Sequence, residues 1–143
     1  MINYFTEDIS FKFLNKRKCS QWIRAAIIEE SATNSKKPGD FSIVFCSDEY
    51  ILKMNKQYLK HDYYTDIITF DNSHDNKVSA DIFISIETVK SNAIIYNQSF
   101  LTEIHRVIIH GILHLLNYDD QTIDQKLKMT EREEHYLNKY FSV

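Results

Sequence analysis

The sequence predicts an α+β fold in one domain, a small mixed β-sheet packed with about five helices. Three observations carry this. Short runs rich in Ile and Phe alternate with longer segments whose apolar residues recur at helical spacing. Two of those runs, residues 66–71 and 80–85, flank a polar turn at 72–77 and should pair as a hairpin. The last third of the chain reads as consecutive helices. At 143 residues and 43% hydrophobic composition there is enough apolar material for one core and too little chain for two.

Taken in order, residues 1–13 mix Glu7, Asp8 and Lys12 among aromatics, unlike the basic start and unbroken apolar core of a secretion signal, so a cytoplasmic protein is expected. Residues 21–33 place Trp22, Ile23, Ala26 and Ile27 on one helical face and lead into a polar loop at 34–40 that Pro38 and Gly39 should fix. Residues 41–45 read as a strand. Ser47, followed by Asp48 and Glu49, can cap a helix running to about Leu59. After the hairpin come helices at 86–97, 100–116 and 123–141, the last opened by Thr122 and Gln125 at capping-box spacing.

Charge excludes some functions. A formal charge of -3 and a pI near 6.0 do not suit a protein that coats nucleic acid through bulk positive charge. Any such contact must be local, at Lys12, Lys16, Arg17, Lys18 and Arg24 or at Lys53, Lys56 and Lys60, although ordinary solvated helix faces are the better explanation of either cluster alone. Glu131, Glu133 and Glu134 make the last helix acidic. The longest apolar stretch, residues 107–116, falls short of the ~20 residues that cross a bilayer, so no membrane segment is expected. Cys19 and Cys46 lack metal-knuckle spacing and read as free thiols in the core.

That same apolar stretch carries the chemistry. His110 and His114 are four apart, which on a helix separates them by about 40° in azimuth and about 6 Å along the axis, close enough to share one metal ion. Asp120 follows after Asn117, a residue suited to the left-handed conformation that often ends a helix, so the chain can turn back and supply a third ligand. Gly111 sits between the histidines' turns, where glycine costs about 1 kcal/mol relative to alanine, so something needs the space. The spacing is zincin-like, but zinc proteases of that type place a glutamate base directly after the first histidine, and Gly111 stands there. Taken singly, each histidine could be a satisfied core residue and Asp120 a helix-start acid. Together, two imidazoles on an apolar helix need partners, and a metal satisfies both.

The string from His110 to Asp120 resembles the H-G-x-L-H-L-x-G-Y-D-H motif of the YbeY family, matching at His110, Gly111, Leu113, His114, Leu115, Tyr118 and Asp119. Met54-Asn55-Lys56-Gln57-Tyr58, Thr65-Asp66-Ile67-Ile68-Thr69-Phe70 and Asp81-Ile82-Phe83-Ile84-Ser85 are similar to the family's other motifs in their order. The resemblance implies one metallohydrolase domain over residues 1–143 and one Zn2+, or another divalent metal, held by three ligands of the last motif. It implies single-strand endoribonuclease activity in maturation of the small-subunit ribosomal RNA 3′ end and in ribosome quality control. The partners it implies are ribosomal RNA, the small ribosomal subunit and a ribosome-associated protein.

Three positions depart from the family pattern. Asn117 replaces a glycine, Asp120 replaces the third histidine, and Leu59 stands where an arginine linked to catalysis is common. Two histidines with one carboxylate is an established catalytic zinc set, so Asp120 should preserve binding. Lys60 or Arg106 could supply the positive charge that Leu59 cannot. His61, His74, His105 and His135 receive no catalytic role. The nucleophile could be a metal-activated water or the RNA 2′-hydroxyl. Competing readings are a metallopeptidase, opposed by Gly111, a ribosome assembly factor with a structural metal, favoured by Leu59, and, with less support, a two-histidine, one-carboxylate iron oxygenase.

Overall fold

The computed structural model describes residues 1–60 and 65–142. Strand β1 (Ile2–Thr6) is followed by α1 (Lys16–Glu30), β2 (Lys37–Cys46), α2 (Asp48–Met54), β3 (Ile67–Asp71), β4 (Lys77–Ser85), α3 (Ile86–Ile95), α4 (Phe100–Leu115) and α5 (Ile123–Phe141). Among the described residues a four-stranded mixed sheet and five α-helices make up the single-domain α+β fold expected. The strand order is β1-β2-β4-β3, with β1, β2 and β4 parallel and β3 antiparallel to β4.

The register sorts side chains onto two faces. Phe41, Ile43 and Phe45 of β2 stand opposite Ala80, Ile82 and Ile84 of β4, while Ile2 and Tyr4 of β1 extend the same rows. That face meets α1, α4 and α5 in the main core. The opposite face is smaller: Cys46, Ile51 and Ile68 are buried beneath Tyr50, Met54, Phe70 and Phe83, with α2 supplying the cover. Alternation with period two produces this division, since neighbouring residues of a strand point to opposite sides. Both cysteines are free and fully buried, and burial pushes each thiol up to about 12.

Several elements differ from the sequence expectation. Residues 1–13 are assigned no element by the sequence, yet β1 is an edge strand paired to β2. The loop assigned to residues 34–40 ends early, because β2 already begins at Lys37. Pro38 and Gly39 lie in that strand beside a register shift between Pro38 and Phe41, where a proline can be tolerated because the ladder is already broken. Gly39 has no positive φ, and a Cβ there would press on the Val78 carbonyl and the Ser79 side chain, so close approach of two strands explains it. α1 starts five residues before the expected 21 and ends three before 33. The helix expected to run to Leu59 is α-helical to Met54 and continues as a π-turn at Asn55–Leu59, closed by Lys60 in a left-handed conformation at φ 57°.

Candidate metal centre

α4 is the most deeply packed helix. Ser99 caps its first turn by accepting from the Thr102 amide, and Ile104, Ile108, Ile112 and Leu115 run along the buried side with Val107 and Gly111. A Cβ on Gly111 would stand 2.7 Å from Ile67 Cδ1 and 3.6 Å from Thr69 Oγ1, so this glycine lets α4 settle on β3. That is the use of space that the sequence implied.

His110 and His114 project from the same side of α4 with their Nε2 atoms 3.0 Å apart. Asp120 Oδ2 lies 3.5 Å from each of those nitrogens. Three donor atoms thus converge within 4.8 Å of one another, and no other group of three or more such residues does so among the described residues. The three side chains are each a quarter to a third exposed, so the cluster opens to solvent.

The loop that returns Asp120 to the helix is fixed at both ends. Asn117 adopts φ 73°, its amide donates to His114 O at 3.0 Å, and the Tyr118 amide donates to Leu113 O at 3.0 Å. These two bonds form a Schellman motif with asparagine taking the left-handed position that glycine usually fills. Four residues later the predicted capping box is present, with Thr122 Oγ1 accepting from the Gln125 amide at 3.1 Å and Gln125 Oε1 accepting from the Thr122 amide at 3.0 Å.

The chemistry of the donor set fits a divalent ion. His110 Nδ1 is 2.6 Å from Glu133 Oε2. A carboxylate only accepts, so Nδ1 carries the proton, and a neutral His110 ring then turns its Nε2 lone pair toward His114 and Asp120. Metal-binding histidines typically show this arrangement, with an outer carboxylate fixing the tautomer. Burial opposes charge on His110, but the bond to Glu133, together with the charges of Glu133, Asp66 and Asp120, outweighs it and raises the pKa of the ring. Nitrogen, nitrogen and carboxylate oxygen is a donor set that zinc accepts readily.

Beside the cluster lies an open cleft of about 520 Å³ whose lining includes Asp66, Tyr96, Arg106, His110, Asp120 and Lys126. Burial raises the pKa of the Asp66 carboxyl, with the His110 charge opposing. Glu103 is buried in the same wall and is raised for the same reason, against the pull of Arg106.

The structure therefore unites the three residues picked out in the sequence and reassigns others. Arg106 does line the cleft, but its guanidinium is engaged with Glu133 at 3.2 Å, Glu134 at 2.5 Å and Glu103 at 3.6 Å. Lys60 is exposed at the end of the π-turn. His105 is fully buried among Phe13, Trp22 and Tyr140, its Nδ1 donating to Leu101 O over 2.8 Å, and His135 pairs with Glu29. His74 is exposed, and His61 lies outside the described residues. In the sequence Glu133 only adds to the acidity of the last helix and receives no site role, whereas it is buried against His110. A signal was available: Met129, Glu133, Tyr136, Leu137 and Tyr140 fall on one stripe of α5, so Glu133 occupies an apolar position that a lone carboxylate could not hold without a partner.

Fold and cluster together define an α+β protein whose histidine-bearing helix and following loop could hold one metal ion. The model of the family described as "Endoribonuclease YbeY" matches residues 2–141, and the chain belongs to the YbeY family. It is 48% identical over 136 residues to the endoribonuclease YbeY of Parabacteroides distasonis, covering 95% of this chain and 93% of that protein. It is 50% identical over 120 residues to the Bacteroides fragilis protein of the same name, covering 84% of each. In fold it is similar to the solution structure of a Thermotoga maritima protein, with a TM-score of 0.60 and 23% identity over 99% of this chain and 89% of the other. The relatives' shared name supports hydrolase activity of the endoribonuclease type.

Proposed function

We propose that this chain is a metal-dependent single-strand endoribonuclease that acts in maturing the 3′ end of small-subunit ribosomal RNA and in ribosome quality control, with one Zn2+ or another divalent ion held by His110, His114 and Asp120. Its working partners are ribosomal RNA, the small ribosomal subunit and a ribosome-associated protein, met in the cytoplasm. The observation that carries the reading is the convergence of two imidazole nitrogens and one carboxylate oxygen beside an open cleft that His110 and Asp120 help to line.

A divalent ion there supplies Lewis acidity toward a phosphoryl oxygen and acidifies water at neutral pH. The chain supplies the rest. His110 and His114 offer nitrogen donors, Asp120 offers an anionic oxygen, and Glu133 keeps the His110 proton on Nδ1, away from the cluster. Arg106 balances Glu133 and Glu134 and so reduces negative charge at the wall past which a phosphate must travel.

Gly111 argues against peptide hydrolysis on structural grounds as well. The direction in which a glutamate would leave residue 111 is filled by Ile67, so a protease-type base has no place there. Leu59, 40% exposed where the family commonly has arginine, favours a second reading in which the protein binds RNA as an assembly factor and the metal only steadies the fold.

Metal analysis of the purified chain, paired with cleavage assays on single-stranded ribosomal RNA and on casein, tests these readings. One divalent ion per chain and RNA cleavage that disappears in His114→Ala are expected. RNA binding without cleavage in the metal-loaded protein would establish the assembly-factor reading instead.

A further inference from the structure

Glu30 is the last residue of α1, a position where the helix dipole disfavours an acid, and its side chain is only 8% exposed. A buried carboxylate at the negative end of a helix does not arise from local propensity, so its partners must explain it. Glu30 Oε2 accepts from Arg132 Nε at 3.1 Å, from Arg132 Nη2 at 2.6 Å and from the Tyr136 hydroxyl. Those bonds belong to α5 and satisfy one oxygen. The other, Oε1, accepts from the Tyr118 hydroxyl at 2.5 Å.

Tyr118 is two residues before Asp120, and its ring packs on the main core. Between Tyr118 and the Thr122 cap only Asp119, Asp120 and Gln121 span the gap, and Asp119 and Gln121 are exposed. The Gln121 amide is held by Gln125 Oε1 at 2.9 Å. The Asp120 carboxylate is therefore placed by two anchors, Tyr118 on one side and the α5 capping box on the other. Without the hydroxyl bond the Asn117 and Tyr118 backbone bonds would remain, but the side-chain tie from the loop to α1 would be lost.

We infer that Tyr118 and Glu30 are positioning residues for the third ligand: their hydrogen bond ties the Asp120 loop to the end of α1 and holds the Asp120 carboxylate within reach of His110 and His114. This rests on the proposed ligand set, and Arg132 and Tyr136 serve it by fixing the Glu30 carboxylate. The Asp120 arm of the centre is thereby coupled to α1, which contributes no ligand.

The test is a double-mutant cycle on the full chain, with zinc chloride titrated against a chromophoric chelator. Tyr118→Phe keeps the ring and deletes only the hydroxyl. It should weaken zinc binding by about tenfold, at the low end of the about 10–100-fold typical of lost outer partners. In an Asp120→Ala background the same change should have no further effect, because there is no carboxylate left to place. Amide hydrogen exchange in the metal-free Tyr118→Phe protein should rise at residues 119–121 and stay unchanged in α4. If Asp120→Ala binds zinc as tightly as the parent, the ligand set itself is wrong. If Asp120→Ala weakens binding while Tyr118→Phe has no effect, or has equal effect in both backgrounds, positioning by Tyr118 is wrong. Should Tyr118→Phe not fold, Glu30→Gln is carried through the same cycle and judged by the same non-additivity.

Discussion

His110 Nδ1 donates to Glu133 Oε2 across 2.6 Å, joining α4 to α5 at the wall of the cleft. The bond fixes which imidazole nitrogen is left to bind. Replacing Glu133 with alanine removes the acceptor and frees both tautomers, so zinc affinity should fall about 10–100-fold. Glu133→Gln, whose amide oxygen still accepts, should lose less. A competition titration that finds all three proteins equal would show that the bond does not organise the centre.

Asp120 contributes the only carboxylate of the proposed set. Asp120→Ala should weaken zinc by more than the about 10–100-fold that loss of an outer partner costs. Asp120→His should retain the ion while raising the net charge of the site by about one unit, so RNA cleavage should reach half its maximum at a lower pH than in the parent. An unmoved pH profile in a fully loaded Asp120→His protein would contradict this account.

At Gly111 two effects oppose each other. Alanine gains about 1 kcal/mol in helix propensity but requires the terminal methyl of Ile67 to move. Since that methyl is the far end of a flexible side chain, Gly111→Ala should stay within about 1 kcal/mol of the parent in urea unfolding. Gly111→Glu drives a charged chain into the interface of α4 with β3 and should cost about 3 kcal/mol or more without yielding casein hydrolysis.

His105 makes a prediction about acid. Burial among aromatic rings lowers its pKa below the ordinary 6.5, the nearby Lys18 charge adds to this, and the bond at Leu101 O opposes it. The folded state therefore leaves His105 neutral where the unfolded chain takes up a proton. The sign follows: no penalty exists well above 6.5, and stability is lost as pH falls through and below that value. In metal-free proteins the difference in urea stability between the parent and His105→Phe should move against the parent between about pH 7.5 and pH 5.5. A difference independent of pH would mean that His105 titrates alike in both states.

Much of this arrangement was legible because it follows local periodicity. The positions of His110 and His114 come from helical spacing, and the turn at Asn117 and the cap at Thr122 come from residue types that only a few backbone conformations favour. What escaped depends on distant pairing. β1 offers just Ile2 and Tyr4 as inward residues and becomes a strand through its parallel neighbour Phe41–Phe45. Pro38 signals a loop everywhere except beside an interrupted ladder. The π-turn after Met54 has no compositional mark. Glu133 was one acid among three on its helix until α4 supplied Arg106 and His110 as partners, and Glu30 could not be linked to Tyr118, 88 residues away, without the fold.

The withdrawal of Cys19 and Cys46 into the two sides of the sheet bears on how metal and folding communicate. Metal added to the native protein meets no accessible thiol, so soft-ligand competition vanishes in that state. The denatured chain exposes both thiols along with six imidazoles, and it can chelate zinc on its own. Ligand linkage then acts on both sides of the unfolding equilibrium, and a zinc-induced rise in melting temperature understates the affinity of the native centre. The shortfall widens as pH approaches the ~8.5 at which free thiols ionise.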